Sequence, residues 1–250
     1  MCLKYTPLGI LEARQPLTID TEAGHMNRHE EGSWDARFAK DGYLFGTDPN
    51  AFLVSEFHRI APAGLVLAVA DGEGRNGVWL AQQGFRVHAI DASSVAIEKA
   101  KSLARSRGVA IATEFTSIQS GSIFFEQVDV LNWAWPIEQY DAVVAIFIQF
   151  ASPAVRGRLF ADMSAAIKLE GILLMEGYHR RQLGYGTGGP SALEQLYDTA
   201  LLRDAFADLD LVVLRDYDQE IDEGHGHKGT SALVDLVAHK ASRVDTGKRD

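Results

Sequence analysis

One stretch constrains the fold more than any other: "LVLAVADGEGRNGVWLAQQGFRVHAIDASS", residues 65 to 94. An apolar run, a glycine-rich loop, a short helical pattern and a second apolar run follow one another without a break. That order reads as strand, tight turn, helix, strand, the unit from which doubly wound parallel sheets are built. "LVLAVA" shows no alternation, as expected for a strand buried on both faces. Asn76 to Gln83 reads as the helix, with Gly84 as its C-terminal stop. "FRVHAI" is the second strand, and Ser93 or Ser94 caps a helix that reaches about Arg107 and stops at Gly108.

The alternation extends from near residue 52 to the end of the chain. "AFLVSEFHRIA" carries Phe52, Leu53, Phe57 and Ile60 at helical spacing, and Pro62 and Gly64 then break it. Two segments compete for the third core strand, "VAIATEF" and "SIFFEQV"; the second is favoured because Asp129 ends it. "DAVVAIF" is the fourth strand, Pro153 to Lys168 a helix with proline in its first turn, and "GILLMEG" the fifth strand. The loop "GYGTGGPS" leads into a helical region from about Ala192 to Ala207. The last two strands, "LVVLRDY" and "SALVDLVAH", are joined by "DEGHGHKGT" with no helix between them. They should pair antiparallel, because a parallel return needs a crossover of a dozen or more residues. The expected fold is therefore α/β: a Rossmann-like doubly wound sheet, mostly parallel, with a terminal antiparallel hairpin. Residues 31–240 are expected to form a single domain. Residues 1–30 read as a disordered or leader segment and 241–250 as a flexible tail.

Composition narrows the function. With 46% hydrophobic and 23% charged residues among 250, the chain has the make-up of one ordinary globular domain. No apolar run approaches the roughly 18–20 residues of a membrane span. A net charge of −10 argues against a nucleic-acid backbone as partner, since that binding needs clustered Lys and Arg. A single cysteine, Cys2, excludes an internal disulfide framework and fits a cytoplasmic location.

Gly72, Gly74 and Gly77 make a formal G-x-G-x-x-G, and Asp91 lies nineteen residues after the first glycine. This is the dinucleotide fingerprint. Its physics, however, serves any adenosine cofactor: backbone N–H groups exposed at a helix N-terminus, and an acid for ribose hydroxyls. Asp91 also fits a simple helix cap, Asp129 a solvent-exposed turn, and the aromatics of "SWDARFAKDGYLFG" a cluster packed on the sheet edge. An NAD(P)-dependent oxidoreductase stays open on this motif alone.

The wording of the motifs adds a resemblance. "DGEGRNGVWLAQQGFRVHAIDAS" resembles class I S-adenosylmethionine-dependent methyltransferases, in particular the bacterial group related to tellurite-resistance and thiol methyltransferases, with their G-E-G-R-N element. It is most similar to a bacterial subfamily with "YxxGxxPNxFL" before the core and "QLxYxTGGP" and "EGxxHxGxSA" after it. Here these are Tyr43 to Leu53, Gln182 to Pro190 and Glu223 to Ala232, and the resemblance spans roughly residues 34 to 240. It implies S-adenosyl-L-methionine as cofactor and a small acceptor such as a thiol or metalloid. The implied cofactor-binding residues are Gly72, Glu73, Gly74, Arg75 and Asn76 in the loop, Asp91 and Ala92 for the ribose, and Asp129 and Val130 for the adenine. The resemblance also implies a lid over residues 31–51, and Phe147 after the fourth strand and Trp34 and Arg37 in that lid complete the set. Tyr43, Tyr178 and His179 are the candidates for catalytic proton handling.

Two features cut across the resemblance. Most class I methyltransferases carry an acid and a glycine where this chain has Ala68 and Ala70, which leaves a non-catalytic cofactor-binding protein open. His225 and His227 form H-x-H, which can supply two imidazoles, yet no companion ligands complete a metal site. No metal is expected, and a substrate-facing hairpin is the preferred reading. The acceptor and the oligomeric state stay open at this level.

Overall fold

The structure, a computed structural model, describes residues 34–242. The readings of residues 1–30 and of most of 241–250 lie outside the described residues, and the lid is described from Trp34 onward.

The strands are β1 (Leu65–Val69), β2 (Arg86–Asp91), β3 (Ala110–Ile111), β4 (Ser122–Gln127), β5 (Tyr140–Ile146), β6 (Ile167–Tyr178), β7 (Asp210–Asp222) and β8 (Lys228–His239). They form one sheet in the order β3-β4-β2-β1-β5-β6-β8-β7. β1 pairs in parallel with both β2 and β5, so the strand order reverses at β1. β8 runs antiparallel to β6 on one side and β7 on the other. The link between β7 and β8 is only residues 223–227, too short to carry the chain back for a parallel return.

Alternation along β1 splits the core. Val66 and Ala68 face one layer with Leu80 and Ala81 of α3 (Arg75–Gln82) and Ile97, Ala100 and Leu103 of α4 (Ser94–Ser106). Leu67 and Val69 face the other, with Leu159, Phe160 and Met163 of α5 (Pro153–Ala166) and Leu202 of α6 (Thr199–Ala205). Both faces are covered, so the central strand β1 is apolar throughout. Before β1 come α1 (Trp34–Phe38) and α2 (Ala51–Glu56), the latter capped by the Asn50 side chain accepting from Leu53 N–H.

"SIFFEQV" is the third core strand, as expected: it forms β4 beside β2, while "VAIATEF" yields only the two-residue edge strand β3 before a 3₁₀ turn at Phe115–Ser117. Two expectations shift in detail. The helix expected from Ala192 to Ala207 shrinks to α6. Tyr197 instead gives its backbone to the end of β6, donating to the Tyr178 carbonyl and accepting from Arg180 N–H, and the Asp198 side chain restarts the helix as its cap. The terminal strands outrun their apolar stretches, because their mutual backbone pairing continues through polar residues to Asp222 and Lys228.

Candidate active site

The glycine loop leaves β1 in a run of left-handed backbone: Ala70 has φ 49°, Gly72 57° and Gly74 88°. Each glycine has its own reason. At Gly72 the reason is the left-handed backbone itself, since a Cβ there would make only an ordinary contact, 3.5 Å from Cζ of Phe38 in the lid. One on Gly74 would lie 2.7 Å from Cβ of Ala100, so this glycine lets the start of α3 close against α4. Gly77 leaves room for the Asp71 carboxylate, which accepts its backbone N–H through both oxygens at 3.1 Å. Burial pushes the Asp71 carboxyl up to about 7 despite that bond, and the nearby Asp91 charge adds to the shift. Asp71 thus serves the first turn of α3. Ala70, at the position where the resemblance expects glycine, takes a left-handed conformation that costs an L-residue about 1 kcal/mol.

Asp91 ends β2 beside this loop. Its carboxylate accepts N–H bonds from Gly72 and Ser93, each 2.8 Å, and its carbonyl accepts from Val128 N–H at 2.9 Å. Burial raises its pKa, while the backbone bonds oppose the rise. The Val128 bond sets Asp129 and Val130 on the same C-terminal edge of the sheet. The Asp129 carboxylate accepts from Leu131 N–H and from Asn132 Nδ2, at 3.0 and 2.8 Å, and Val130 is buried. Ala92 is exposed between these acids, its carbonyl held by Gln127 Nε2.

The lid lies over the loop. Trp34 stacks on Phe38 at 5.5 Å, Phe38 meets Phe45 edge-on at 6.2 Å, and the Arg37 guanidinium sits 4.2 Å from the Trp34 ring centre. Asp35 accepts a hydrogen bond from Ser93, tying α1 to the cap of α4. Glu73 is buried: its carboxylate accepts Leu44 N–H at 2.7 Å and Lys99 Nζ at 2.9 Å. Tyr43 donates its hydroxyl to the Lys99 carbonyl at 3.2 Å, and burial and the Glu73 charge push its pKa up. Both residues act as struts between the lid and α4.

A second cluster fills the edge beyond β5 and β6. Phe147 follows β5 with φ 57°, strained for a bulky residue. Its ring lies 4.7 Å from Tyr178 and 4.3 Å from His227, and Phe45 closes from the lid at 4.4 Å from His227. Tyr178 is buried, with its hydroxyl pKa raised by burial and by Glu223. His179, one residue on, does not join this cluster: its Nδ1 accepts Arg181 N–H at 3.2 Å, and burial and Arg181 lower its pKa. Adjacent strand residues point to opposite faces, so only one of Tyr178 and His179 could reach the cluster. The histidine that reaches it is His227. Among the described residues no three His, Cys, Asp or Glu side chains are placed to hold a metal ion.

Beneath the rings runs a buried polar network. Arg75 pairs with Glu223 at 2.7 Å, and its Nη1 is buried with no hydrogen-bond partner. Asn50 donates Nδ2 to Glu176 at 2.5 Å and to Glu223 at 3.1 Å, and its backbone N–H goes to Asn76 Oδ1 at 2.9 Å. Burial, Asp235 and Glu223 push Glu176 well above the carboxylate range. Asn76 therefore serves α2. Gln182 closes the other side, bonding Thr187, the Gly188 carbonyl and Ala232 N–H. The three flanking motifs converge here, around Tyr178. Asn50 was the residue missed; its helix-cap pattern, a polar residue before an apolar run, was the available signal.

Residues 66–171 match a family model described as a methyltransferase domain. No curated protein matches the sequence. Among solved structures, one described for the conversion of a disulfide bond into a thioacetal group during echinomycin biosynthesis is similar with a TM-score of 0.67 and 16% identity, covering 88% of this chain and 94% of that one. TehB from Haemophilus influenzae is similar with a TM-score of 0.59 and 17% identity, over 76% of this chain and 62% of that one, so the likeness spans less than two thirds of TehB. The N-methyltransferase NodS from Bradyrhizobium japonicum WM9, solved with S-adenosyl-L-homocysteine, is similar with a TM-score of 0.59 and 12% identity, over 84% of this chain and 97% of that one. The sheet order, the terminal hairpin, the domain match over residues 66–171 and these likenesses agree: the chain has the class I methyltransferase fold.

Proposed function

We propose that this protein is an S-adenosylmethionine-dependent methyltransferase acting on a small acceptor, akin to the tellurite-resistance and thiol methyltransferase group. The observation that carries the reading is the join of Asp91 to Gly72 where the strand order reverses at β1. Ligands of open α/β sheets bind at such a reversal, outside the carboxyl ends of the strands. The residues fit the cofactor. Gly72 presents bare backbone, Asp91 has lone pairs left for ribose hydroxyls, and the position of Asp129 and Val130 on the same sheet edge supports an adenine contact. Arg75 keeps a buried Nη1 that no protein atom satisfies, as a carboxylate-binding guanidinium would. The SAH complex of NodS supports the same cofactor class.

When bound, the cofactor supplies an electrophilic methyl group on a sulfonium. The protein's own work is to orient and to exclude water. Phe38 and Trp34 cover the loop, while Phe45, Phe147 and Tyr178 give the acceptor end apolar walls. That enclosure, with the acidic net charge, supports a small acceptor over a nucleic acid, and the single cysteine supports a reducing cytoplasm. No helix among the described residues is long and apolar enough to cross a membrane.

The test is calorimetric titration with S-adenosylmethionine, S-adenosylhomocysteine and NADH, repeated on Asp91→Ala. Micromolar binding of an adenosyl ligand, lost in Asp91→Ala, is expected. Binding of NADH alone would overturn the reading in favour of an oxidoreductase. Tight binding with no turnover across thiol, metalloid, amine and hydroxyl acceptors would make the protein a non-catalytic binder.

A further inference from the structure

We propose that His227 takes the acceptor's proton, and that the acceptor is a small, apolar, ring-sized molecule carrying a weakly acidic thiol or phenol-type hydroxyl. The inference rests on the methyltransferase reading and names the acceptor class of that same site.

Four observations converge. His227 is 6% exposed, held between Phe45 at 4.4 Å and Phe147 at 4.3 Å, with the edge of Tyr178 at 5.5 Å. Its Nδ1 is buried and has no hydrogen-bond partner; the Glu223 carboxylate stands 4.0 Å off, too far for one. A buried imidazole without a partner costs stability, which points to a partner that arrives with the ligand. Second, the walls are aromatic, which suits a flat apolar body.

Third, a groove of about 280 Å³ opens between the segments 45–51 and 219–224 and shares Phe45 and Glu223 with the surroundings of His227. Its acids Asp48, Asp222 and Glu223 are paired with Arg107, Lys228 and Arg75, so the groove does not bar an acceptor by charge. Inside, Arg37 and Arg75 act on His227 and disfavour an ammonium-type acceptor, while the free Nη1 of Arg75 favours an anion once the proton has gone. Fourth, the groups facing the ring agree: Arg37 from the lid, Arg75 from α3, Glu223 from the hairpin and Tyr178 from β6. Burial and the two guanidinium groups keep the imidazole neutral in the unliganded protein and weaken it as a base; the anion formed beside it on proton transfer offsets that by stabilising the imidazolium.

The step balances. The acceptor's S–H or O–H proton passes to a His227 ring nitrogen, and the freed electron pair bonds the methyl carbon. The methyl–sulfur bond breaks with its pair left on sulfur as a thioether, and the proton then leaves to solvent. Tyr178, buried and protonated, is left as a wall of the site.

Two readouts test this on the full chain. The first needs no turnover: 4-nitrophenol is titrated into the S-adenosylhomocysteine complex across pH, with its absorbance reporting ionisation. Wild type should bind it as phenolate, with its apparent pKa lowered by about one unit or more, and His227→Gln should bind it as the phenol. The second is methyl transfer to thiols of graded acidity. His227→Gln should lose about 100-fold or more on alkyl thiols, which are protonated at neutral pH, and progressively less on thiophenols that ionise unaided. Its affinity for S-adenosylhomocysteine should stay within about 2-fold.

Wild-type binding of 4-nitrophenol as the neutral phenol, no binding of it at all, or equal losses on acidic and weakly acidic thiols would each overturn the proposal. So would preferred methylation of amines. If His227→Gln does not fold, the wild-type absorbance titration decides alone. Failure of the wild type to bind any adenosyl ligand would instead sink the methyltransferase reading itself.

Discussion

The Asp91 carboxylate accepts the backbone N–H of Gly72 at 2.8 Å, so one side chain at the end of β2 fixes the loop that leaves β1. Its second oxygen does the same for Ser93, the cap of α4. Asp91 is thus both a structural clasp and the acid nearest the proposed ribose position. Asn can replace only one of its two acceptor oxygens, and Ala neither. Charged hydrogen bonds contribute about 1.5–3 kcal/mol each. Asp91→Asn is expected to weaken S-adenosylhomocysteine binding roughly 10-fold, and Asp91→Ala by more, with a lower Tm in both. Calorimetry and thermal melts check this; unchanged affinity in both variants would remove Asp91 from the site.

Gly74 and Ala100 offer a packing test independent of any ligand. Gly74→Ala forces φ 88° on an L-residue and places a methyl 2.7 Å from Cβ of Ala100. The variant should lose about 2–4 kcal/mol, more than Gly72→Ala, whose new methyl meets the edge of Phe38 at an ordinary 3.5 Å. Adding Ala100→Gly should return only part of the loss, since the backbone strain remains. Denaturant melts of wild type, Gly74→Ala, Ala100→Gly and the double variant give the coupling directly.

Lys99 anchors the lid. Its ammonium donates to the carbonyls of Lys40 and Gly42 and to Glu73, at 2.7, 2.6 and 2.9 Å. Lys99→Met keeps the apolar stem but removes all three bonds and leaves Glu73 with Leu44 N–H as its remaining partner. Hydrogen exchange at residues 40–44 should accelerate by about 10-fold or more, while the amides of β1 and β5 stay protected. Unchanged exchange over the lid would show that the aromatic contacts hold it without the ammonium.

Asp71 makes stability depend on pH. Its folded pKa, about 7, lies above the ordinary carboxylate value, so the folded state binds the proton more tightly than the unfolded one. The contribution is fully present below about pH 4 and is lost as pH rises through 7. Asp71→Asn removes that loss and keeps an oxygen for Gly77 N–H. The stability of Asp71→Asn relative to wild type should therefore grow between pH 4 and 7 by up to about 1.4 kcal/mol per unit, and then level off. A constant difference across that range, in urea melts, would refute the linkage.

Much of this architecture could be read from the chain. Each strand–loop–helix unit along it is local. Gly84 and Gly108 do end their helices in left-handed backbone, and Ser93 does cap α4 through Ala96 N–H. The hairpin follows from the length of its link, and the pairing of an acid with the glycine loop from their spacing. Where the local pattern was misjudged, at Ala192 to Ala207, the end of β6 claimed the Tyr197 backbone that propensity had assigned to a helix.

The sequence by itself determined the fold class, the loop, and the place of Asp91 and Asp129 at its edge, because these depend on residues a few turns apart. Tertiary structure decided which side chains meet. Insertion of β8 between β6 and β7 carries His227 to Phe147 and Tyr178, and the lid brings Phe45 onto it, contacts between segments far apart in the chain. It also separated Tyr178 from His179, and turned Glu73 and Tyr43 toward Lys99. The physical reason is that a side chain's face follows from its register in a sheet or helix. Register is set by long-range pairing and burial, so neighbours in sequence can end on opposite sides of the molecule.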